Sequence, residues 1–244
     1  MRVRLFSTAE SLARSLAADV ARTTAVAPRA VLGLPAGRTP IPLYRQLVRL
    51  HRAGRLDLTR VSTFNLDEFL GLSPHDPRSY QAFMRAHLFD HVGISREQAH
   101  FLNGLPRDVD AECARYDRAI DRAGGIDLQI LGVGANGHIG FNEPGPALVA
   151  RTHRSRLRAA TRRANAGLFG SARAVPKEAL SMGMGTILRA RRIVLVATGV
   201  GKARCVDRLV HGPVTPMLPA SFLQLHQRAE VWLDAGAASR VSRP

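Results

Sequence analysis

Cysteine is nearly absent from this 244-residue chain. Cys113 and Cys205 stand far apart and in no metal-type spacing, which excludes a disulfide framework and a thiolate zinc site and points to a reducing compartment, the cytoplasm. No apolar run is long enough to span a bilayer. The opening Met1-Arg2-Val3-Arg4-Leu5-Phe6 alternates briefly and does not resemble a secretory leader, so neither a membrane partner nor export is expected. Lysine is as scarce as cysteine: Lys177 and Lys202 are the only two among 35 basic residues, and the other 33 are arginine. Aromatic residues make up 5% of the chain, and the densest basic cluster, 151–163, contains none and matches no zinc-finger or RNP-type motif. The formal charge of +16 is therefore read as a solvated surface, with no nucleic-acid partner expected.

What is present reads as globular, with 45% hydrophobic and 22% charged residues, and the length suits one domain over 1–244. Apolar runs at 3–6, 30–34, 60–66, 126–133, 192–198 and 229–233 alternate with helix-period stretches such as 8–24 and 40–52. That alternation predicts an α/β fold with a mostly parallel sheet covered by helices on both faces. In such sheets ligands bind beyond the carboxyl ends of the strands, so the loops after the apolar runs are where chemistry is expected.

Four of those loops stand out. Gly33-Leu34-Pro35-Ala36-Gly37-Arg38-Thr39-Pro40 leaves a buried strand and enters a helix, with Thr39 placed as N-cap and Pro40 at the first helical position. Free N–H groups and the positive dipole end there suit a phosphate. Gly199-Val200-Gly201-Lys202 repeats the junction, and a cation in a first helical turn makes sense when an anion sits over it. It is not a P-loop, since Ala203 follows the lysine. Gly132 to Gly137 fits G-x-G-x-x-G, but no acid lies between Glu143 and Lys177 to hold a ribose, so a dinucleotide cofactor is not expected. Instead Asn136, His138, Asn142 and Glu143 crowd that loop and suggest acid–base work. In Leu66-Asp67-Glu68-Phe69, adjacent strand residues face opposite ways, so one carboxylate can serve a pocket and the other a structural purpose. His87 and His91 stand four apart beside Asp90 but lack a convincing third ligand, so no metal is expected.

These segments, in this order and over essentially the whole chain, resemble the glucosamine-6-phosphate deaminase family. The likeness is carried by Leu32-Gly-Leu-Pro, Phe64-Asn-Leu-Asp-Glu, Phe101-Leu-Asn-Gly, Gly137-His-Ile-Gly-Phe-Asn-Glu-Pro, Thr161-Arg-Arg-Ala-Asn, Leu180-Ser-Met-Gly-Met-Gly-Thr and Leu223-Gln-Leu-His. The resemblance implies a Rossmann-like three-layer α/β/α sandwich and the isomerising deamination of an amino-sugar phosphate without cofactor. It implies that Asp67 is the base between C2 and C1, and that His138 opens the sugar ring with Asn136 and Glu143 orienting it. It further implies that Ala36, Gly37, Arg38, Thr39 and Lys202 hold the phosphate, and that Arg162 contacts the substrate from a lid at about 150–175. A monomer and a homo-oligomer are both compatible with it.

Two departures from the family pattern matter. Arg38 stands where Gly or Ser is usual, which bears on phosphate affinity and substrate size. Pro146, His153 and Ser155 replace the serine and two basic residues of effector-regulated members, so no such activation is expected. The rival readings are a sugar-phosphate lactonase of similar fold, which lacks the Asn142-Glu143 pair, and a non-catalytic sugar-phosphate sensor, which would need a DNA-binding helix-turn-helix for which no residues remain.

Overall fold

A computed structural model describes residues 1–241. Its strands are β1 (Arg2–Phe6), β2 (Val31–Leu34), β3 (Ser62–Asn65), β4 (Asp67–Phe69), β5 (Ala99–His100), β6 (Leu128–Gly132), β7 (His153–Arg156), β8 (Glu178–Ser181), β9 (Arg192–Ala197) and β10 (Ala229–Asp234). The α-helices are α1 (Ala9–Val26), α2 (Ile41–Arg52), α3 (Tyr80–Met84), α4 (Asp90–Val92), α5 (Val109–Arg122), α6 (Ala159–Phe169), α7 (Met184–Leu188) and α8 (Ala203–His211). All six apolar runs become strands of one parallel sheet, ordered β1-β10-β9-β6-β2-β3-β5. The remaining strand, β5, is two residues long and leaves no periodic trace in the sequence.

β9 shows why the runs look uniformly apolar. Ile193, Leu195 and Ala197 enter one core, with Tyr116, Met184 and Val206, while Val194 and Val196 enter the other, with Leu16, Leu43 and Trp232. Both faces are dry, so the period of two is hidden and three layers result: helices, sheet, helices. Each fully buried Val or Leu contributes roughly 1.5–3 kcal/mol, and this burial holds the layers together.

α1 begins as its sequence suggests. Thr8 accepts a hydrogen bond from the Ser11 amide at 3.1 Å in a capping box, and Leu12, Leu16, Ala17 and Val20 are buried. α2 corrects the expectation by one residue. Pro40, not Thr39, is the N-cap, the Thr39 side chain makes no capping bond, and Pro42 occupies the first turn. A proline fits anywhere in that turn because it has no N–H to lose, so the pair Pro40 and Pro42 left the start ambiguous.

A second, antiparallel sheet of order β4-β8-β7 was not foreseen, because its strands are short and one of them, His153–Arg156, is polar throughout. It packs on an aromatic cluster of Phe69, Tyr80, Phe141 and Phe169. It also narrows the expected lid. β7 is hydrogen-bonded to β8, and Thr152 is fixed to the buried Asp117 carboxylate at 2.6 Å. What is left of the segment is α6 and the turn after it. Of the 11 residues of α6 only Thr161 and Phe169 are buried, which places this helix at the easily opened end of the molecule.

Candidate active site

Chain order runs from β2 through β3 to β5 in one direction across the sheet, and from β6 through β9 to β10 in the other. β2 and β6 are neighbours, so the direction reverses between them, and the loops after these two strands splay apart over the carboxyl edge. A cleft of about 710 Å³ opens there, within the range of small-molecule sites. Ala36, Gly37, Arg38 and Thr39 from the loop after β2, Asp67 from β4, Asn136 and His138 from the loop after β6, and Lys202 after β9 all line it. α6 closes it over the top with Ala164, Asn165, Gly167 and Leu168.

Two glycine turns and a lysine contribute to the cleft wall. Gly37 has φ +94°, a conformation that glycine adopts without strain, and it turns the chain into the first turn of α2. Gly199, at φ +83°, does the same before the single 3₁₀ turn Val200–Lys202 that leads into α8. Burial pulls the Lys202 ammonium below the usual lysine range. The exposed Arg38 lines the same cleft. A Cβ on Gly167 would sit 2.9 Å from its guanidinium, so the loop after β2 and α6 meet across the mouth.

The two adjacent carboxylates divide as the strand geometry requires. Glu68 turns away and accepts backbone N–H bonds from Phe69 at 2.8 Å and from Tyr80 and Gln81 at 3.1 Å each, so it anchors the start of α3. Burial still raises its carboxyl to about 7. Asp67 faces the cleft, 7% exposed, with Tyr80 and Phe83 as further wall residues. Burial, then the neighbouring Glu68 charge, push its carboxyl up to about 8. A carboxylate held this way is a strong base.

The loop after β6 is a rigid cage around His138. Gly137 (φ +92°) and Gly140 (φ +56°) make turns open to glycine, and buried Asn142 ties the loop to Ile139 O at 2.9 Å and Met182 O at 2.8 Å. Asn142 is thus structural, while its neighbour Glu143 faces the imidazole. Glu143 Oε2 lies 3.8 Å from His138 Nδ1 and accepts from Asn136 Nδ2 at 3.0 Å. Asn136 Oδ1 in turn accepts from the His138 amide at 3.2 Å. Burial holds the imidazole below its ordinary range, outweighing the opposing pull of Glu143, so the ring is neutral at pH 7. Gly134 is required by contact, since a Cβ there would fall 2.2 Å from His138 Cε1. Gly134→Ala is expected to displace the ring and lower kcat by about tenfold or more with little change in substrate KM. Steady-state kinetics on the purified variant checks this.

Other residues named from the sequence lie away from the cleft, and one neglected residue contacts His138. Arg162 does not reach the cleft wall: its Nη2 donates to Ala172 O at 2.9 Å, and its buried Nε has no partner. Thr161, whose Oγ1 lies 3.2 Å from His138 Nδ1, belongs to the site although no spacing rule pointed to it. His87 lies against Phe83 with ring centroids 4.4 Å apart, and among the described residues no three His, Cys, Asp or Glu could hold a metal. Parts of the 151–163 basic cluster are engaged, Arg151 with Asp117 and Asp121 at 3.9 and 3.8 Å and Arg154 with Glu178 at 3.9 Å. Ser155 is committed as a donor to Phe141 O at 2.6 Å.

The fold and the cleft define an α/β enzyme with a pocket of small-molecule size, lined by Lys202, the loop after β2, Asp67 and His138. Residues 6–232 match the model of the glucosamine-6-phosphate isomerase/6-phosphogluconolactonase family, and the chain belongs to that family. It is 48% identical over 230 residues to a glucosamine-6-phosphate deaminase of Bacillus velezensis, covering 94% of this chain and 95% of that one. It is 42% identical over 241 residues to one from a Thermoanaerobacter species, covering 99% and 95%. Among solved structures, one described as a monomeric glucosamine-6-phosphate deaminase superposes with a TM-score of 0.96 at 44% identity, over 98% of this chain and 100% of that one.

Proposed function

We propose that Asp67, His138 and Glu143 carry out the isomerising deamination of glucosamine 6-phosphate to fructose 6-phosphate and ammonia. The deaminase activity itself follows from family membership and from relatives of that name at 42% and 48% identity over nearly the whole chain. The observation that supports this division of labour is that a desolvated carboxylate and a carboxylate-backed imidazole border one cleft beside two strand-to-helix turns.

His138 takes the proton of the anomeric hydroxyl and returns it to the ring oxygen, which opens the pyranose and exposes a C1 aldehyde. Glu143 stabilises the imidazolium while it lasts, and Asn136, which cannot accept a proton, orients both. The C2 proton, now next to a carbonyl, passes to Asp67 while the C1 oxygen takes up a proton that the C2 ammonium gives up, and Asp67 returns its proton to C1 of the enolamine so formed. The resulting ketimine at C2 adds water and releases ammonia. Thr39, the amides around Gly37, Lys202 and Arg38 hold the phosphate. Arg162 joins them when α6 swings inward and its guanidinium leaves the carbonyls of the following turn.

We further propose that 1–244 acts as one catalytic domain in the cytoplasm, on a sugar phosphate and on neither nucleic acid nor membrane. Every group named belongs to one chain, so a monomer is complete, and in a homo-oligomer each subunit is complete.

The test is direct. Purified protein given glucosamine 6-phosphate should yield ammonia and fructose 6-phosphate in equal amounts, and should not accelerate hydrolysis of 6-phosphogluconolactone. Lactone hydrolysis without ammonia release would move the chain to the other branch of its family. Lys202→Met should raise KM about tenfold or more with kcat nearly kept, the loss of one charge-assisted bond to phosphate. Arg38→Ser, at an exposed position, should change KM about threefold.

A further inference from the structure

His138 is held from behind by a residue that the steps above do not use. Thr161 Oγ1 stands 3.2 Å from His138 Nδ1, whereas the nearest Glu143 oxygen stands at 3.8 Å, beyond hydrogen-bond range. The direct contact to the back of the ring is therefore a hydroxyl, with the carboxylate acting through space. Thr161 is 1% exposed and sits in the first turn of α6, three residues after Arg158, whose amide donates to Glu143 Oε1 at 3.1 Å. Its carbonyl accepts from Asn165 Nδ2 at 2.9 Å, and Asn165 lines the cleft. α6 thus grips the imidazole and its carboxylate at one end and roofs the substrate at the other.

The chemistry explains why a hydroxyl suits this position. Ring opening takes the imidazole from neutral to protonated and back at Nε2, so Nδ1 must keep its hydrogen throughout. A carboxylate can pair only with Nδ1–H. With the Glu143 carboxylate favouring Nδ1–H, the Thr161 hydroxyl at 3.2 Å accepts from it and leaves Nε2 bare for the reacting proton. Its β-branch restricts χ1, which limits where the oxygen can go.

We propose that Thr161 is a positioning residue that accepts from His138 Nδ1–H and so fixes the ring with Nε2 toward the cleft. The proposal rests on His138 being the ring-opening group.

The test compares Thr161→Val, which keeps shape and removes the hydroxyl, with Thr161→Ser, which keeps the hydroxyl, and with His138→Gln. For glucosamine 6-phosphate, Thr161→Val should lose about 10- to 100-fold in kcat, while Thr161→Ser stays within about threefold and KM moves little in either. The ¹⁵N resonances of the His138 ring should coincide in wild type and Thr161→Ser and move toward a tautomer mixture in Thr161→Val. Wild-type kcat and unchanged ring resonances in Thr161→Val, alongside a crippled His138→Gln, would overturn the proposal and leave the role of His138 standing. A fully active His138→Gln would instead remove the reading on which it rests. Should Thr161→Val fail to fold, the wild-type spectrum decides: one fixed tautomer supports the proposal, and the mixture of a free imidazole overturns it.

Discussion

Asp67→Asn is expected to lower kcat by roughly 10³-fold or more and, at the same time, to raise the melting temperature. The loss follows from the role: an amide cannot accept the C2 proton, and the substitution changes neither size nor the hydrogen bonds of Glu68, which anchor α3 independently. The gain follows from linkage. The carboxyl is raised to about 8 in the folded protein from an ordinary value of 3.8, so folding favours its protonated form. A raised folded pKa on an acid means stability that is full below about pH 4 and eroded as pH climbs toward 8. At pH 7 the wild-type fold bears that cost, of the order of a few kcal/mol, and the neutral amide does not. The melting temperature of Asp67→Asn should therefore exceed that of wild type by about 3 °C or more at pH 7, with the gap closing at pH 4. A variant that is inactive and also less stable at pH 7 would show that Asp67 is a structural residue.

The main sheet was legible in the sequence because its strands are dry on both faces and punctuated by glycine. The same rule located the cleft, since the reversal between β2 and β6 places the loops at 35–40 and 133–145 on either side of it. Gly37, Lys202, Asp67 and His138 could be singled out because each is a chemically distinctive residue at the end of an apolar run. Short polar strands carry no such signal: β7 reads His-Arg-Ser-Arg, and only its pairing with β8 reveals it. That pairing lies inside the segment expected as a lid, about 150–175. Thr161 was invisible for another reason. A threonine in a helix is commonplace, and its relation to an imidazole 23 positions earlier exists only once α6 is laid across the loop. Arg162 was drawn from family likeness alone, and in the structure it donates to the carbonyls of Ala172 and Arg173.

The pH profile should carry the signature of the same carboxylate. Because Asp67 must be ionised to take a proton from carbon, kcat/KM is expected to fall about tenfold for each pH unit below the free-enzyme value, which lies at about 8. The activity at pH 6 is then about a hundredfold below its plateau. His138 cannot be the source of that limb. Its value lies below the ordinary range, so the imidazole is already neutral where the fall begins. kcat should behave differently from kcat/KM, because the bound substrate brings its ammonium beside the carboxylate and favours the charged form, moving the limb to lower pH. The two profiles should therefore separate, with the kcat limb the more acidic. In His138→Gln the residual activity should keep the same acid limb in kcat/KM, since the base is untouched. If that limb vanishes or moves in His138→Gln, the imidazole and not the carboxylate is the group that must lose its proton, and the assignment of base and shuttle between these two residues is reversed.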